Sequence, residues 1–206
     1  MKQAKTSKAW MKEHVNDFFV KQAKKDGYRS RAAYKLLEVA ERDHILKAGM
    51  SVVDLGAAPG SWSQVATSKV GNKGIVIALD ILEMIPLPDV ICIQGDFREE
   101  SVLIKLKNKL GERQLDLVIS DMSPNLSGIA ISDQARSMYL AELALDFSMR
   151  RLNHGGSFFV KVFQGRDFDQ FLRDMRNEFS KVMIRKPKAS RDRSTELYLL
   201  GSGKRN

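Results

Sequence analysis

Short apolar runs alternate with amphipathic stretches from about residue 51 to the end of the chain. The runs are rich in Val, Ile, Leu and Phe, as in strands buried within a parallel sheet, and the stretches between them have apolar residues at helical spacing. The pattern predicts strands at 51–55, 74–80, 90–94, 115–120, 156–163, 181–186 and 195–200. It predicts helices at about 60–70, 99–110, 133–151 and 167–178.

The order of these elements indicates the fold class. Alternating strands and helices followed by two successive strands predict a Rossmann-like α/β fold. Its sheet would be seven-stranded, doubly wound and mostly parallel, with a C-terminal antiparallel hairpin. We interpret residues 1–206 as one domain, with a core at 50–202 and a basic helical extension at 1–45.

Two helix ends are predicted from capping residues. Ser30 is expected to cap a helix over 31–43, and a second basic helix is expected before it. Gly155 and Gly156 are expected to form the C-cap of the helix at 133–151.

Composition narrows the class of protein. No apolar run reaches the roughly 20 residues that a membrane helix needs, and the lysine-rich start of the chain lacks the apolar segment of a secretory signal. The single cysteine, Cys92, excludes an internal disulfide and fits a reducing compartment. We therefore expect a cytoplasmic protein, and we expect it to be a monomer.

The net charge of +9 is unevenly distributed along the chain. Residues 1–35 carry a net +7 and residues 181–206 a net +6, whereas the middle carries a net −4. Basic ends around a mildly acidic body favour a polyanionic partner such as RNA. We expect the contacts in the basic stretches 12–35 and 181–193, and solvated tails at 1–9 and 201–206. The predicted RNA-binding residues are Arg29, Arg31, Lys35, Arg191 and Arg193.

A glycine turn follows the first strand, in the segment VVDLGAAPGSW. Gly56 and Gly60 allow a sharp turn and close approach of a ligand. The turn lacks the three-glycine pattern that a pyrophosphate requires, and Asp54 before it would repel phosphate. Asp80 and Asp96 follow the next two strands, where carboxylates can accept from a ribose and from an adenine amino group. The set predicts an adenosyl cofactor without phosphates.

The fourth strand runs into SDMSPN and brings Asp121 towards the same edge of the sheet. Asn125 stands where amino-group methyltransferases commonly have an aromatic residue, which disfavours amine methylation. Cys92, the only thiol, is expected to be buried, which disfavours carbon-5 methylation of pyrimidines. Oxygen methylation remains, and Lys161 is the candidate activating group because its strand is otherwise apolar. By themselves, Lys35 and Glu196 are compatible with ordinary surface positions.

The chain resembles the FtsJ/RrmJ family of ribosomal RNA large-subunit methyltransferases over about residues 10–202. The resemblance is carried by RSRAAYKL, VVDLGAAPGSWSQ, QGDF, SDMSPNLSG, MYLAELAL, GGSFFVKVFQG and RKPKASRDRSTELYL. It implies S-adenosylmethionine-dependent 2′-O-methylation of a uridine ribose in the A loop of 23S rRNA, on the assembled large (50S) subunit.

The resemblance also implies site residues. The family's Lys-Asp-Lys-Glu tetrad falls on Lys35, Asp121, Lys161 and Glu196, with Lys161 as the proton acceptor. The cofactor contacts fall on Gly60, Trp62, Asp80, Asp96 and Asp121, with Asp54 and Gly56 in support.

Three alternatives stay open at this point. The first is an NAD-dependent oxidoreductase, which the glycine turn and Asp54 disfavour. The second is a non-catalytic module that binds RNA or the ribosome, and the third is a 2′-O-methyltransferase of tRNA or of an mRNA cap. No metal site is predicted, because His14, His44 and His154 are isolated from other ligand residues.

Overall fold

The computed structural model describes residues 17–125, 127–191 and 194–206. Its seven strands form one sheet in the order β3-β2-β1-β4-β5-β7-β6. The strands are β1 (Ser51–Leu55), β2 (Ile75–Asp80), β3 (Val90–Gln94), β4 (Leu115–Ser120), β5 (Leu152–Phe163), β6 (Phe179–Arg185) and β7 (Glu196–Lys204). The helices are α1 (Phe18–Asp26), α2 (Ala33–Asp43), α3 (Ser61–Val70), α4 (Glu100–Leu110), α5 (Ala130–Arg151) and α6 (Phe168–Glu178).

The strand pairing confirms the predicted fold class. Strands β1 to β5 are parallel, and β7 is antiparallel to both β5 and β6. The strand order reverses between β1 and β4, and in such sheets ligands bind beyond the carboxyl ends of the strands at that point.

Apolar residues fill both faces of the sheet. Helices α4, α5 and α6 cover one face. Helices α2 and α3 cover the other, where Leu36 of α2 shares a cluster with Trp62 of α3 and with Phe159 and Tyr198 of the sheet. The helical extension is therefore packed into the main core through α2.

Two predicted helix caps are wrong. The second of the two N-terminal helices begins at Ala33 rather than Arg31, and the Ser30 hydroxyl pairs with Ser61 at 2.7 Å and accepts from the backbone N–H of Ala32. Gly155 and Gly156 lie inside β5, because buried Leu152 already pairs with Leu115 and begins the strand where α5 ends.

Two further expectations are corrected. Residues 201–204 are the end of β7 rather than a solvated tail, and Lys204 donates to the carbonyl of Leu152. Cys92 is exposed rather than buried, because β3 is an edge strand. Among the described residues, no helix is both long enough and apolar enough to span a bilayer.

Candidate active site

A cleft of about 550 Å³ opens at the carboxyl ends of β1 to β4, and we call it the central cleft. Its walls combine apolar side chains with carboxylates. Gly56, Asp80, Asp96 and Asp121 of the predicted site line it, as does Asn125. Within the described parts of the chain, no cluster of His, Cys, Asp and Glu has the arrangement of a metal site.

Gly56 and Ala58 of the glycine turn line the central cleft, whereas Gly60 at the end of the turn does not. Gly56 has a φ of 71°, and a Cβ there would lie 2.2 Å from Cγ of Met122. Gly60 has a φ of 106° immediately before α3, and a Cβ there would lie 2.8 Å from Leu87. Both positions combine a left-handed backbone with close packing, which only glycine accommodates without strain.

Asp80 is held by backbone groups on its two sides. One of its carboxylate oxygens accepts from the N–H of Ala58 and the other from the N–H of Leu82, each at 2.8 Å. The carboxylate is thereby fixed at the end of β2, beside the glycine turn.

Asp96 is paired with Arg98, whose Nε donates to both carboxylate oxygens at 2.9 Å. Hydrogen bonds from Arg98 hold the pKa of Asp96 below its ordinary value, so the carboxylate is ionised at neutral pH. Sequence analysis did not identify Arg98, although this residue also lines the central cleft.

Asp54 is buried beneath the turn, with 1% of its surface exposed, and it does not line the central cleft. It accepts a hydrogen bond from the Ser63 hydroxyl at 2.7 Å. Burial raises the pKa of Asp54 from 3.8 to about 7, and the negative charges of Asp121 and Asp80 add to the effect. The Ser63 bond offsets only part of this shift.

Lys161 lies in the interior strand β5 and is 8% exposed. Its Nζ is 3.1 Å from Oδ1 of Asp121 and donates to the Asp121 carbonyl at 2.6 Å. Burial disfavours the ionised form of Asp121, but Lys161, Lys35 and a hydrogen bond from Tyr198 outweigh burial and hold the pKa of Asp121 below its ordinary value. The pair is therefore a buried ion pair with compensated charges.

The other half of the predicted tetrad forms a second ion pair. Nζ of Lys35, on α2, is 2.8 Å from Oε1 of Glu196, at the start of β7. The Ser190 hydroxyl donates to the same oxygen at 2.8 Å. Both side chains are mostly buried. The local sequence around each residue is typical of an exposed surface position, but neither residue occupies one.

Tyr198 connects the two ion pairs. Its hydroxyl donates to Oδ1 of Asp121 at 2.8 Å and accepts from Nζ of Lys35 at 2.9 Å. Burial, and then the charges of Asp121 and Glu196, raise the pKa of Tyr198 well above its ordinary value, so the hydroxyl keeps its proton. We call this connected set the tetrad network; its members are Lys161, Asp121, Tyr198, Lys35 and Glu196.

Sequence analysis missed Tyr198, although a signal was present. Residues two apart on a strand point to the same face, so Tyr198 follows Glu196 on one face of β7. Tyr198 is also the direct antiparallel partner of Lys161. Strand pairing therefore places Tyr198 directly opposite Lys161.

A second cavity, of about 470 Å³, lies on the Lys35 side of the tetrad network, and we call it the lateral cavity. Lys35 and Glu196 line it, together with Arg31, Arg191 and the segment around Ala189. Asp121 lines the central cleft instead. The tetrad network thus contributes residues to both cavities.

The predicted RNA-binding arginines lie in different parts of the structure. Arg31 contacts the carboxylate of Asp17 and the carbonyl of Ala189. Arg29 donates to three backbone carbonyls beside the central cleft. Arg191 lines the lateral cavity, and Arg193 lies outside the described residues.

Trp62 is buried in the core rather than in the central cleft. Its ring stacks on Phe159, and its Nε1 donates to the carbonyl of Ala32 at 2.8 Å. The side chain is buried and makes these contacts within the core. A ligand in the central cleft could therefore bind Trp62 only through its backbone N–H, which lies in the first turn of α3.

Comparison with known proteins gives consistent matches. The family model for FtsJ-like methyltransferases matches residues 28–204. The chain is 66% identical, over the full length of both proteins, to ribosomal RNA large subunit methyltransferase E of Nitrosospira multiformis, and 61% identical, again over both full lengths, to the protein of that name from Methylobacillus flagellatus. A ribosomal RNA methyltransferase from Plasmodium falciparum has a similar structure, with a TM-score of 0.77, 32% identity, and coverage of 86% of this chain and 98% of that one.

Proposed function

Since the chain belongs to the FtsJ-like methyltransferase family, we propose that it methylates a ribose 2′-oxygen of large-subunit ribosomal RNA with S-adenosylmethionine. The names of the relatives support the RNA class. The proposed target is a uridine in the A loop of 23S rRNA within the assembled large subunit. The observation that carries the proposal is the tetrad network, which joins the central cleft to the lateral cavity.

The central cleft fits the proposed cofactor by charge and shape. Fixed carboxylates at Asp80 and Asp96 can accept from ribose hydroxyls and from an adenine amino group. Asp121 is a third carboxylate in the lining, and carboxylates would favour a ligand that carries sulfonium and ammonium charges. The same carboxylates and the missing third glycine are unsuited to a pyrophosphate, which disfavours the NAD alternative.

The lateral cavity fits the RNA side of the reaction. It is lined by Arg31, Lys35 and Arg191, and Arg31 also contacts Asp17, the N-cap residue of the basic helix α1. Cationic side chains at this position can contact the phosphates on either side of a target nucleotide. Because the tetrad network contributes residues to both cavities, a target ribose bound from the lateral side would lie beside the cofactor site.

The chemistry follows from the two ion pairs. S-adenosylmethionine supplies an activated methyl group when bound. The 2′-hydroxyl that would receive the methyl group must lose its proton, so a residue of the chain has to accept that proton. Lys161 is the group that would accept the hydroxyl proton at Nζ, and Oδ1 of Asp121 lies 3.1 Å from that atom and would stabilise positive charge there. Lys35, held by Glu196 and Tyr198, orients the target nucleotide.

Replacement of Lys161 tests the proposal. Lys161→Met preserves the length of the side chain and removes the amine, so we expect methyl transfer to large subunits to fall by about 100-fold or more. Cofactor affinity, measured by calorimetry, should stay within a few-fold of the unmodified protein, because Lys161 does not line the central cleft. Methylation is measured with radiolabelled S-adenosylmethionine.

Lys109→Met provides the matched control, since Lys109 is exposed on α4. It should retain full activity. Mass spectrometry of digested 23S rRNA, from assembled subunits and from naked RNA, identifies the modified nucleotide and the preferred substrate. Near-normal turnover by Lys161→Met, or methylation confined to tRNA, would reject the proposal.

A further inference from the structure

Arg29 lies outside the central cleft and bridges two segments that form its wall. Its Nη1 donates to the carbonyl of Pro59 at 2.8 Å and to that of Ile85 at 2.7 Å, and its Nη2 donates to that of Pro86 at 2.9 Å. Pro59 belongs to the glycine turn, and residues 81–88 form the loop that follows Asp80. Three N–H groups of the guanidinium are therefore directed at backbone rather than at solvent.

Asp80 joins the same two segments from inside the central cleft. Its carboxylate accepts from the N–H of Ala58, in the glycine turn, and from the N–H of Leu82, in the 81–88 loop. Arg29 donates to carbonyls of the two segments, and Asp80 accepts from their N–H groups. The separation of the segments, and with it the position of the carboxylate, is fixed from both sides.

The local packing is shaped around the Arg29 side chain. A Cβ at Gly60 would lie 3.0 Å from Nη1 of Arg29, so the absence of a side chain at Gly60 leaves room for the guanidinium in its present position. The backbone of Arg29 is anchored as well, because its N–H donates to the side chain of Gln64 at 2.9 Å. Gln64 in turn donates to the carbonyl of Gly27 at 3.0 Å, which fixes this part of the extension on α3.

We propose that Arg29 is a positioning residue of the cofactor site, and that it sets the geometry of Asp80 rather than contacting RNA phosphate. The inference rests on the proposed function, because it assumes that the central cleft binds S-adenosylmethionine. A fork of N–H donors suits this task, since a lysine ammonium is a compact point charge that cannot span the same carbonyls in one plane.

Calorimetric titration with S-adenosylhomocysteine, in the absence of RNA, tests the proposal. Both Arg29→Lys and Arg29→Gln should raise the Kd by about tenfold, because each leaves the two segments without their outer bridge. Affinity for a 23S rRNA fragment that contains the A loop, and the dependence of that affinity on salt, should be unchanged. Thermal unfolding and circular dichroism check that each variant is folded. If Arg29→Gln does not fold, the test is made with Arg29→Lys alone.

Arg113→Lys and Arg113→Gln are the matched controls. The Arg113 guanidinium also donates to a backbone carbonyl, that of Lys73, but it does not line the central cleft. Neither control should change the Kd by more than twofold. Asp80→Asn, alone and combined with Arg29→Lys, gives a double-mutant cycle, in which the combined loss of affinity should be smaller than the product of the single losses.

Each outcome decides the question. A Kd within twofold of the unmodified protein in both Arg29 variants overturns the proposal, even if their unfolding temperature falls. So does the pattern of an RNA contact, in which Arg29→Gln weakens RNA binding and reduces its salt dependence while Arg29→Lys preserves both. Absence of binding to the unmodified protein would reject the proposed cofactor itself, which distinguishes that failure from a failure of Arg29's role.

Discussion

The hydroxyl of Tyr198 interacts with two charged side chains, although tyrosine is itself uncharged. It lies between Asp121 and Lys35 and is fully buried, so its hydroxyl makes its hydrogen bonds away from bulk water. Hydrogen bonds to charged groups in such surroundings contribute about 1.5–3 kcal/mol each. The hydroxyl therefore helps to keep Asp121 ionised and Lys35 in place.

Tyr198→Phe should reduce the rate of methyl transfer by about ten- to a hundredfold, the equivalent of losing one such bond. The pKa of Asp121 is now held below its ordinary value in part by this hydroxyl. Without it the pKa rises, so the carboxylate becomes protonated at a higher pH than in the unmodified protein. The acid limb of the rate profile should therefore move to higher pH, as measured by single-turnover methylation across a pH series.

Tyr34→Phe is the control for this prediction, because the Tyr34 hydroxyl also bonds a carboxylate, that of Asp26, but outside the tetrad network. Its pH profile should match that of the unmodified protein. An unshifted profile for Tyr198→Phe would mean that Tyr198 acts only through packing.

Helix α2 links the N-terminal extension to the sheet. Leu36 is fully buried among residues of α3 and β5, and Lys35 beside it reaches the tetrad network. The apolar face of α2 thus supplies the packing that holds a site residue against β7. The prediction of one domain over 1–206 has a direct consequence for stability, because an extension that shares the core should unfold with it.

Leu36→Ala should lower the free energy of unfolding by roughly 2–5 kcal/mol, the usual cost of creating a cavity in a close-packed core. Denaturant titration followed by circular dichroism should give one transition, shifted to lower denaturant. Glu41→Ala, at an exposed position of the same helix, should leave the midpoint nearly unchanged. Two separate transitions, or an unshifted one, would contradict the prediction of a single domain.

At the scale of the whole molecule, charge is separated between the ends and the middle of the chain. The basic residues of α1 include Lys21, Lys24 and Lys25, which are exposed. The lateral cavity lies on the side of the sheet where α2 packs. Positive charge is therefore concentrated on α1, whereas the central cleft is lined by three carboxylates together with Arg98 and Arg136.

Replacing Lys21, Lys24 and Lys25 together by Gln should weaken binding of large-subunit RNA and reduce its salt dependence. Each phosphate contact contributes about 0.7–0.9 to the slope of log K against log salt, so the slope should fall by roughly two if most of the three make contacts. The slope is measured by filter binding across a series of salt concentrations. The same change at Lys73, Lys107 and Lys109, which are exposed in the acidic middle, should leave the slope unaltered.

The sequence by itself determined the strands and the fold class, and it predicted most residues of the candidate site. Buried strands require local apolar runs, so β1, β3 and β4 begin and end where the pattern predicts. Lys161 was recognisable because a charge inside such a run is itself a local anomaly. The resemblance to a family supplied Lys35 and Glu196, whose local patterns are those of ordinary surface positions.

Only the tertiary structure decided which groups meet. The exposure of Cys92 depends on β3 being an edge strand, and the contact of Tyr198 with Asp121 depends on β7 pairing with β5. Arg29 lies in a basic stretch, yet its partners belong to segments that are distant in sequence. Such contacts depend on the order of the strands in the sheet and on how the helices pack against it. The periodicity of apolar side chains along the sequence predicts neither the strand order nor the helix packing.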